Sequence, residues 1–324
     1  MRENLRRAHW AWRCTMPALL IASSSCGDEP TRPPSIEAQY PPRHGASASS
    51  IQDSIVFQDF GVTCVYSGGA YVVDSTKAGI WIVDPAGQFR RRLLSVGTYP
   101  DWSRDGLEIV FELDGRLVIT PTDSLDFHPI TSGARDQFPD WSPVSDRIAF
   151  ESTRQNPGGH RSIWTVNSDG SGLARVGIFD STSWRKPDWS PDGATIVHVR
   201  YINGISTSEI FSMNQDGTNP SRLTINGVDD DFPQFSPDGT RIAFVRQDVS
   251  GTPQAWVMNS DGTAERQVTA SGAWWPTWSR TGAELIYSRF DARSSLSTNG
   301  VLWKIDVSSG AESQILNAWP DQCP

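Results

Sequence analysis

The 324-residue sequence predicts an all-β fold of repeated four-stranded units, and three observations support this prediction. The 27 Gly and 22 Pro interrupt the chain too often for a helical bundle. A segment of the type Pro-Asp-Trp-Ser recurs, with its Pro at positions 100, 139, 187, 233 and 276. Short β-branched and aromatic runs joined by Gly-containing turns follow each copy, which is the composition of strands and hairpins. A period of about 40–45 residues with four strands per unit is typical of a propeller blade.

Residues 1–25 have the composition of a secretory signal. Four Arg and one Glu in residues 1–13 precede a short apolar run, residues 14–22, which small residues follow. The run is shorter than the roughly 20 apolar residues that span a bilayer. Small residues ahead of Cys26 resemble a bacterial lipoprotein signal, although Ser23 stands where that signal has Leu or a similar residue. We therefore expect cleavage and lipidation at Cys26, with ordinary cleavage nearby as the alternative.

Residues 26–53 predict a tether between this signal and the first strand. Five Pro lie between positions 30 and 42, among Ser and charged residues. Pro-rich chains extend by about 3.1 Å per residue and are semi-rigid. Such a segment can hold a folded domain tens of ångströms from a membrane; a disordered tail without a membrane anchor is the alternative.

Residues 54–324 divide into repeat units, taken here in order. The first unit is degenerate, because it lacks Pro-Asp-Trp-Ser. Complete units begin at Tyr99, Phe138, Lys186, Phe232 and Trp275. Six copies of a second element, such as the Ile-Trp-Thr-Val-Asn-Ser-Asp-Gly run, indicate six blades. The sequence thus predicts a six-bladed β-propeller of four-stranded blades.

The end of the chain predicts how the ring closes. Residues 319–324 (Trp-Pro-Asp-Gln-Cys-Pro) repeat the start of an innermost strand, which the first unit lacks. Because open sheet edges are a liability, we expect this tail to complete the first blade. Cys64 lies in the first unit and Cys323 in the tail, and a disulfide is permitted in an exported protein. We predict a Cys64–Cys323 disulfide, with two unpaired buried thiols as the alternative.

The repeats resemble a known family. Pro-Asp-Trp-Ser-Pro-Asp-Gly, followed by Ile-Ala-Phe, Ile-Trp and Asn-x-Asp-Gly, is similar to the WD-like propeller repeats of TolB-type periplasmic proteins. Relatives of prolyl oligopeptidase carry similar repeats beside a hydrolase domain, but no Gly-x-Ser-x-Gly occurs here. TolB proteins also have an α/β domain, for which residues 27–53 are too short. The resemblance therefore covers the propeller alone, and a fold of this kind does not fix a function.

The chemistry-bearing residues form no familiar catalytic or metal motif. The net charge of −9 argues against nucleic-acid binding. The five His show no metal-binding spacing, so we expect no metal and no cofactor. We interpret His198 as a core histidine and the Asn-x-Asp-Gly segments as tight turns rather than calcium loops. The repeated aromatic after Pro-Asp is interpreted as core between blades rather than as a sugar platform.

The residues before each repeat Pro differ from unit to unit and should ring one mouth of the central channel. Mixed charges and aromatics at such a rim are typical of a ligand site. Ordinary solvated loops, with the aromatics packed between blades, are the alternative. The candidate ligand-binding residues are Asp136, Arg185, Lys186, Asp229, Asp230, Asp231, Trp274 and Trp275.

These observations predict a monomeric, exported binding protein of the bacterial cell envelope, periplasmic or anchored by lipid to the outer membrane. It would bind an envelope protein, a peptide or a glycan at the channel mouth without catalysis. The alternative is a lyase, hydrolase or lactonase with its active site on the channel axis. A purely structural envelope component is the third reading.

Overall fold

A computed structural model of the chain describes residues 55–59, 63–67, 70–74, 79–84, 86–88, 90–124, 126–132, 135–155, 158–177, 182–201, 207–289 and 301–315. These residues form strands and turns. They include no helix with the length and apolar character needed to cross a bilayer. The predicted signal, tether, lipidated Cys26 and closing tail with Cys323 lie outside the described residues.

The first repeat unit forms a three-stranded sheet and a separate hairpin. Its sheet has the order β1 (Ile55–Asp59), β4 (Gly79–Val83) and β5 (Arg90–Leu94). A separate hairpin of β2 (Thr63–Ser67) and β3 (Ala70–Asp74) lies between β1 and β4 in the chain. We call the three-stranded sheet the N-terminal sheet.

Five four-stranded antiparallel sheets follow, one for each Pro-Asp-Trp-Ser unit, and we number them blades 1 to 5. Blade 1 consists of β6 (Thr98–Trp102), β7 (Glu108–Leu113), β8 (Arg116–Pro121) and β9 (His128–Pro129). Blade 2 consists of β10 (Gln137–Trp141), β11 (Arg147–Ser152), β12 (Ser162–Asn167) and β13 (Ala174–Val176). Blade 3 consists of β14 (Trp184–Trp189), β15 (Thr195–Tyr201), β16 (Ser208–Asn214) and β17 (Ser221–Arg222). Blade 4 consists of β18 (Asp230–Phe235), β19 (Arg241–Gln247), β20 (Pro253–Asn259) and β21 (Arg266–Gln267). Blade 5 consists of β22 (Trp274–Trp278), β23 (Glu284–Arg289), β24 (Val301–Asp306) and β25 (Glu312–Gln314).

The prediction of six four-stranded blades is therefore correct for five of them. The first unit has no Pro-Asp-Trp-Ser segment to form a first strand. In blades 1 to 4 the second strand packs against the first strand of the following blade, and β1 packs against β6 in the same way. The strand β1 thus takes the place of a second strand.

The first strands of successive blades contact one another and line the central channel. In blades 2 to 5 the second strand continues into the third across a longer loop, whereas only Asp114 and Gly115 join β7 to β8. Asn-x-Asp-Gly turns join the third and fourth strands of blades 2, 3 and 4. In one such turn the Asp261 carboxylate accepts hydrogen bonds from the N–H and the hydroxyl of Thr263 (2.9 and 2.6 Å). Gly262 follows Asp261 at φ = +86°, in the left-handed region that favours glycine. The Asp of this segment therefore stabilises a turn, as the sequence predicts.

The hydrophobic cores lie between neighbouring blades. Trp141 packs with Val110 and Ile119 of the preceding blade and with Ile148 and Phe150 of its own. Phe235 occupies the same repeat position and also joins two blades. The repeated aromatic is therefore core between blades, as expected, and most of the hydrophobic stabilisation arises at these interfaces.

The last blade returns to the N-terminal sheet. Val83 of β4 forms one buried cluster with Ile286, Leu302 and Ile315 of blade 5. Successive sheets also contact one another from the N-terminal sheet through to blade 5, so this cluster joins the two ends of that series. The described residues thus form a closed circle of sheets.

We predict that Leu302→Ala lowers the free energy of unfolding by about 2–4 kcal/mol, because it opens a cavity between the first and last sheets. Leu302 is 6% exposed and belongs to the cluster that joins them. The measurement is urea denaturation followed by Trp fluorescence. Leu173→Ala, at a 43% exposed position, is the control and should change stability by less than 0.5 kcal/mol. Equal effects of the two changes would contradict this account of closure.

Candidate functional site

Each four-stranded blade carries a β-bulge in its first strand, next to the repeat Pro. The residue before that Pro has φ between +50° and +52° in all five blades. The pairing register between first and second strands shifts at the same place. A non-glycine residue in this region costs on the order of 1–3 kcal/mol. The residues concerned are Tyr99, Phe138, Lys186, Phe232 and Trp275.

These five side chains meet at one end of the channel, because a bulge re-aims the side chain that it carries. The rings of Tyr99 and Phe138 are stacked with their centroids 3.9 Å apart. Phe138 and Phe232 are in edge contact at 6.1 Å, and Phe232 and Trp275 at 5.8 Å. We call this set of five residues the aromatic mouth.

Lys186 is the one charged member of the aromatic mouth. Its Nζ lies 3.4 Å from the centroid of Phe232 and 5.4 Å from that of Phe138. The same Nζ donates to Oδ2 of Asp231 at 2.5 Å, and Lys186 is only 8% exposed. Burial lowers the pKa of Lys186 more than Asp231 raises it. A lysine whose charge is paired with Asp231 therefore lies between aromatic rings and fills this end of the channel.

Several of the sequence-predicted site residues assemble at this mouth. Lys186, Asp231 and Trp275 belong to it or touch it, and the ring centroid of Trp274 lies 6.4 Å from that of Phe232. Arg185 lies beside it, with its guanidinium 5.7 Å from the centroid of Tyr201.

The guanidinium of Arg185 is held by the fully buried carboxylate of Glu151. Its Nε lies 3.4 Å from Oε2 of Glu151, which also accepts the Lys186 N–H at 3.1 Å. Arg161 forms a second ion pair with Glu151. A buried charge with several partners fixes the geometry of the groups around it. The mouth is therefore positioned before any ligand arrives.

Three of the predicted site residues have other roles in the structure. Asp136 and Asp230 are 0% exposed. Asp136 is paired with Arg154, and Asp230 receives two hydrogen bonds from Arg246, at 2.6 and 2.8 Å. Asp229 is half-buried and accepts the N–H and hydroxyl of Ser208, at 2.7 and 3.0 Å. Asp136 and Asp230 therefore fix the loops that enter the first strands and present no free carboxylate to a ligand.

The cavity of the channel lies toward its opposite end. A volume of ≈ 390 Å³ is lined by the second halves of the first strands and by the turns that follow them. One repeat position, directly after the Pro, contributes a polar side chain from each blade. These residues are Asp101, Asp140, Asp188, Gln234 and Thr277.

Four of these side chains link each blade to the next. The carboxylate of Asp101 accepts the backbone N–H of Trp141 at 2.7 Å. Asp140 and Asp188 do the same, at 2.7 Å, for the aromatic residues at the equivalent position of the following blades. Gln234 accepts the N–H of Trp278 at 3.2 Å through its amide oxygen. A neutral amide can therefore form this link as well as a carboxylate.

Burial raises the pKa of Asp101 to about 6. Burial and the neighbouring carboxylates raise the pKa values of Asp140 and Asp188 well above their ordinary range. In the described part of the chain, no three His, Cys, Asp or Glu residues are grouped so that they could hold one metal ion. The sequence signal for this cavity is the residue after each repeat Pro, which is Asp in blades 1 to 3, Gln in blade 4 and Thr in blade 5.

His198 lies apart from both ends of the channel. It is 0% exposed and stacks on Trp184 with ring centroids 4.7 Å apart. Phe211 stacks near its other side at 6.0 Å. This is the environment of a core histidine, as expected from the sequence.

Comparison with known proteins supports the family resemblance. A family described as the TolB beta propeller domain matches residues 185–324. An uncharacterized protein of Agrobacterium fabrum is 28% identical over 205 residues, which cover 60% of this chain and 66% of that protein. The Tol-Pal system protein TolB of Gluconobacter oxydans is 34% identical over 108 residues, 31% of this chain and 23% of that protein. The chain thus spans less than two thirds of the length of either relative.

A solved structure has the same fold. It is a protein provisionally identified as TolB from Agrobacterium tumefaciens, with a TM-score of 0.64 and 22% identity. The match covers 73% of this chain and 87% of that protein. This likeness shows the propeller fold, and residues 185–324 match the TolB beta propeller family, as the sequence motifs indicated.

We predict that Asp101→Asn stabilises the protein at pH 8 by about 1–2 kcal/mol and flattens its pH dependence. Asp101 binds its proton more tightly in the folded chain than in the unfolded chain. The free energy of unfolding should therefore fall as the pH rises from about 4 through about 6. An amide still accepts the N–H of Trp141, as Gln234 does for Trp278.

The measurement is urea denaturation of both proteins between pH 4.5 and 8. The matched control is Asp146→Asn, which removes an exposed carboxylate and should leave the slope against pH unchanged. A steeper pH dependence in Asp101→Asn would contradict the assignment.

Proposed function

We propose that this chain is a non-catalytic, exported protein of the bacterial cell envelope that binds a protein or peptide at its aromatic mouth. The single observation that carries the proposal is the mouth itself. Four aromatic residues from different blades, all in a strained backbone conformation, remain partly accessible around a lysine whose charge is paired with Asp231. Strain that recurs at one place is most often retained at a functional site.

The filled mouth favours a macromolecular partner. A small ligand needs a concave pocket, whereas the described cavity lies toward the other end of the channel. Trp, Tyr and Arg are the residues that contribute most at protein interfaces. Tyr201 and Trp275 are each 37% exposed, and Arg185 lies against Tyr201. A glycan, which the sequence left open, would instead require flat aromatic faces open to solvent.

The proposed location rests on sequence and on the TolB-type relatives. Residues 1–25 resemble an export signal, and the Gluconobacter relative is named as a Tol-Pal system protein. We propose lipidation at Cys26, a tether over residues 26–53 and a monomeric propeller. Mass spectrometry of the mature N-terminus would test the lipidation directly.

Catalysis on the channel axis is the second candidate function, and the observation that favours it is the cavity with Asp101, Asp140 and Asp188. A carboxyl with a raised pKa can act as a general acid near neutral pH. However, the hydrogen bonds that these carboxyls accept from the next blade explain their presence without a catalytic role. Turnover of an envelope polysaccharide that Asp140→Asn abolishes would favour the enzyme.

We also propose that the chain's own tail completes a sixth blade. The N-terminal sheet lacks a strand in the first position among its described residues, and β1 occupies the second. Residues 319–324 carry the sequence that starts the first strand elsewhere. Cys64, the predicted disulfide partner of Cys323, lies in β2 opposite Val73.

A disulfide between Cys64 and Cys323 tests this closure. We predict that a nonreducing digest of the exported protein contains a peptide pair that joins the two. In the chain-entropy view, a loop of this size gives roughly 4–5 kcal/mol of stability. Cys323→Ser should therefore lower the melting temperature under oxidising conditions and have little effect after reduction. Two free thiols in the exported protein would contradict the pairing.

Site-specific cross-linking tests the proposed function. We predict that a photoreactive phenylalanine at position 275 cross-links the full chain to one major envelope protein in living cells, because this position lies on the mouth. The same residue at position 144, 49% exposed in a turn at the opposite end of the channel, should not give that product. Identical products from both positions, or none from 275, would overturn the mouth as the binding face.

A further inference from the structure

A second surface lies outside the aromatic mouth, on the loops of blade 4. Ile225 is 77% exposed, Val228 is 38% exposed and Val249 is fully exposed. Single exposed apolar residues are common, but these three lie on two loops, one leading from β17 into β18 and one joining β19 to β20. We call Ile225, Val228, Asp229, Asp248 and Val249 the blade-4 rim.

The sheet register places these loops side by side. β18 begins at the mouth end of the channel and β19 ends there, with Asp230 opposite Arg246. Continued by two residues, the same register brings Val228 opposite Asp248, next to Val249. Both loops therefore emerge on the side of the ring that carries the aromatic mouth.

Both loops are fixed by internal hydrogen bonds. One oxygen of Asp248 accepts the N–H groups of Ser250 and Thr252, at 2.8 and 2.9 Å. In the other loop, the side-chain oxygen of Asn226 accepts the Val228 N–H at 2.9 Å. The exposed side chains are therefore presented in a fixed arrangement, which lowers the entropic cost of binding.

The blade-4 rim carries negative charge without a neutralising cation. Within the described ranges, Asp229 accepts hydrogen bonds only from Ser208, and Asp248 only from uncharged groups of its own loop and from Gln254. Hydrogen bonds with Ser250 and Thr252 lower the pKa of Asp248 to about 2, so it is ionised at every physiological pH.

The nearby arginines leave this charge uncompensated, since each is paired elsewhere. Arg246 bonds Asp230 and Glu265, and Arg185 lies against Glu151. The surface is therefore apolar and anionic.

The rim is also continuous with the mouth. Asp229 binds Ser208, which is paired across blade 3 with Tyr201. Tyr201 in turn contacts Arg185 beside Lys186. One partner could therefore cover both surfaces.

We propose that the blade-4 rim docks a protein segment with apolar side chains flanked by Lys or Arg. The apolar side chains would cover Ile225, Val228 and Val249, and the cations would face Asp229 and Asp248. This inference rests on the proposed function, because it identifies the chemistry of the partner that the mouth receives.

The test uses peptides selected from a random twelve-residue display library on the full chain. We expect the selected peptides to be enriched in Lys or Arg next to Leu, Ile or Val. In fluorescence polarisation, the double variant Val228→Ser/Val249→Ser should bind the best peptide at least tenfold more weakly. Asp229→Asn/Asp248→Asn should weaken binding about three- to tenfold and remove most of its salt dependence. The amide oxygens can still accept the loop hydrogen bonds.

The control is Leu107→Ser/Val144→Ser, which changes two exposed apolar residues at the opposite end of the channel and should bind normally. Failure to select basic, apolar peptides, or equal binding by the rim variants, would overturn the inference. If position 275 cross-links a partner whose binding the rim variants leave unchanged, the mouth function stands and the rim inference fails. If the rim binds its peptides while position 275 gives no cross-link, the proposed mouth function fails instead.

Discussion

One hydrogen bond near the channel axis sets the geometry of the ring. In blades 1 to 4 the side chain after the repeat Pro accepts the N–H of an aromatic residue in the next blade. The aromatic that donates this N–H is itself core between the two blades, so the polar link and the hydrophobic packing fix the same angle. Because the link lies on the innermost strand, small changes there would be magnified at the outer strands.

The same strands carry the strained residues of the mouth. A bulge next to Pro costs conformational energy, and the blades bear it five times. The cost is offset where the side chains carried by the bulges pack against one another, as the stacked rings of Tyr99 and Phe138 do. Lys186 shows the limit of this arrangement, because a buried cation at the same position requires both Asp231 and the rings to hold it. Packing within the blades and accessibility at the mouth are therefore properties of one short segment.

The sequence predicted the repeats, the blade boundaries, the core role of the repeated aromatic and the end of the channel where the variable residues gather. It did not predict the separate hairpin of β2 and β3 in the first unit, which lies in the chain between β1 and its partner β4. Nor did it show that Asp136 and Asp230 are paired with Arg154 and Arg246. These arginines lie just after the second strand and within the second strand of the same blade, 18 and 16 positions later. Such pairings depend on sheet register, which the spacing of motifs leaves undefined. The cavity was missed because its polar residues lie within the recurring Pro-Asp-Trp-Ser segment, whose recurrence indicates a fold rather than a site.

The link between blades also has a direction, since blades 1 to 4 each offer an oxygen to the following blade and blades 2 to 5 each offer a donor to the preceding one. A single unit with both groups thus carries a donor for the unit before it and an acceptor for the unit after it. Duplicating it in the gene would add an acceptor and a donor together and would require no new interface. Loss of one unit would likewise leave its two neighbours complementary. Variation in the number of units among such chains is accordingly a small evolutionary step, and a designer could lengthen or shorten the circle by the same rule.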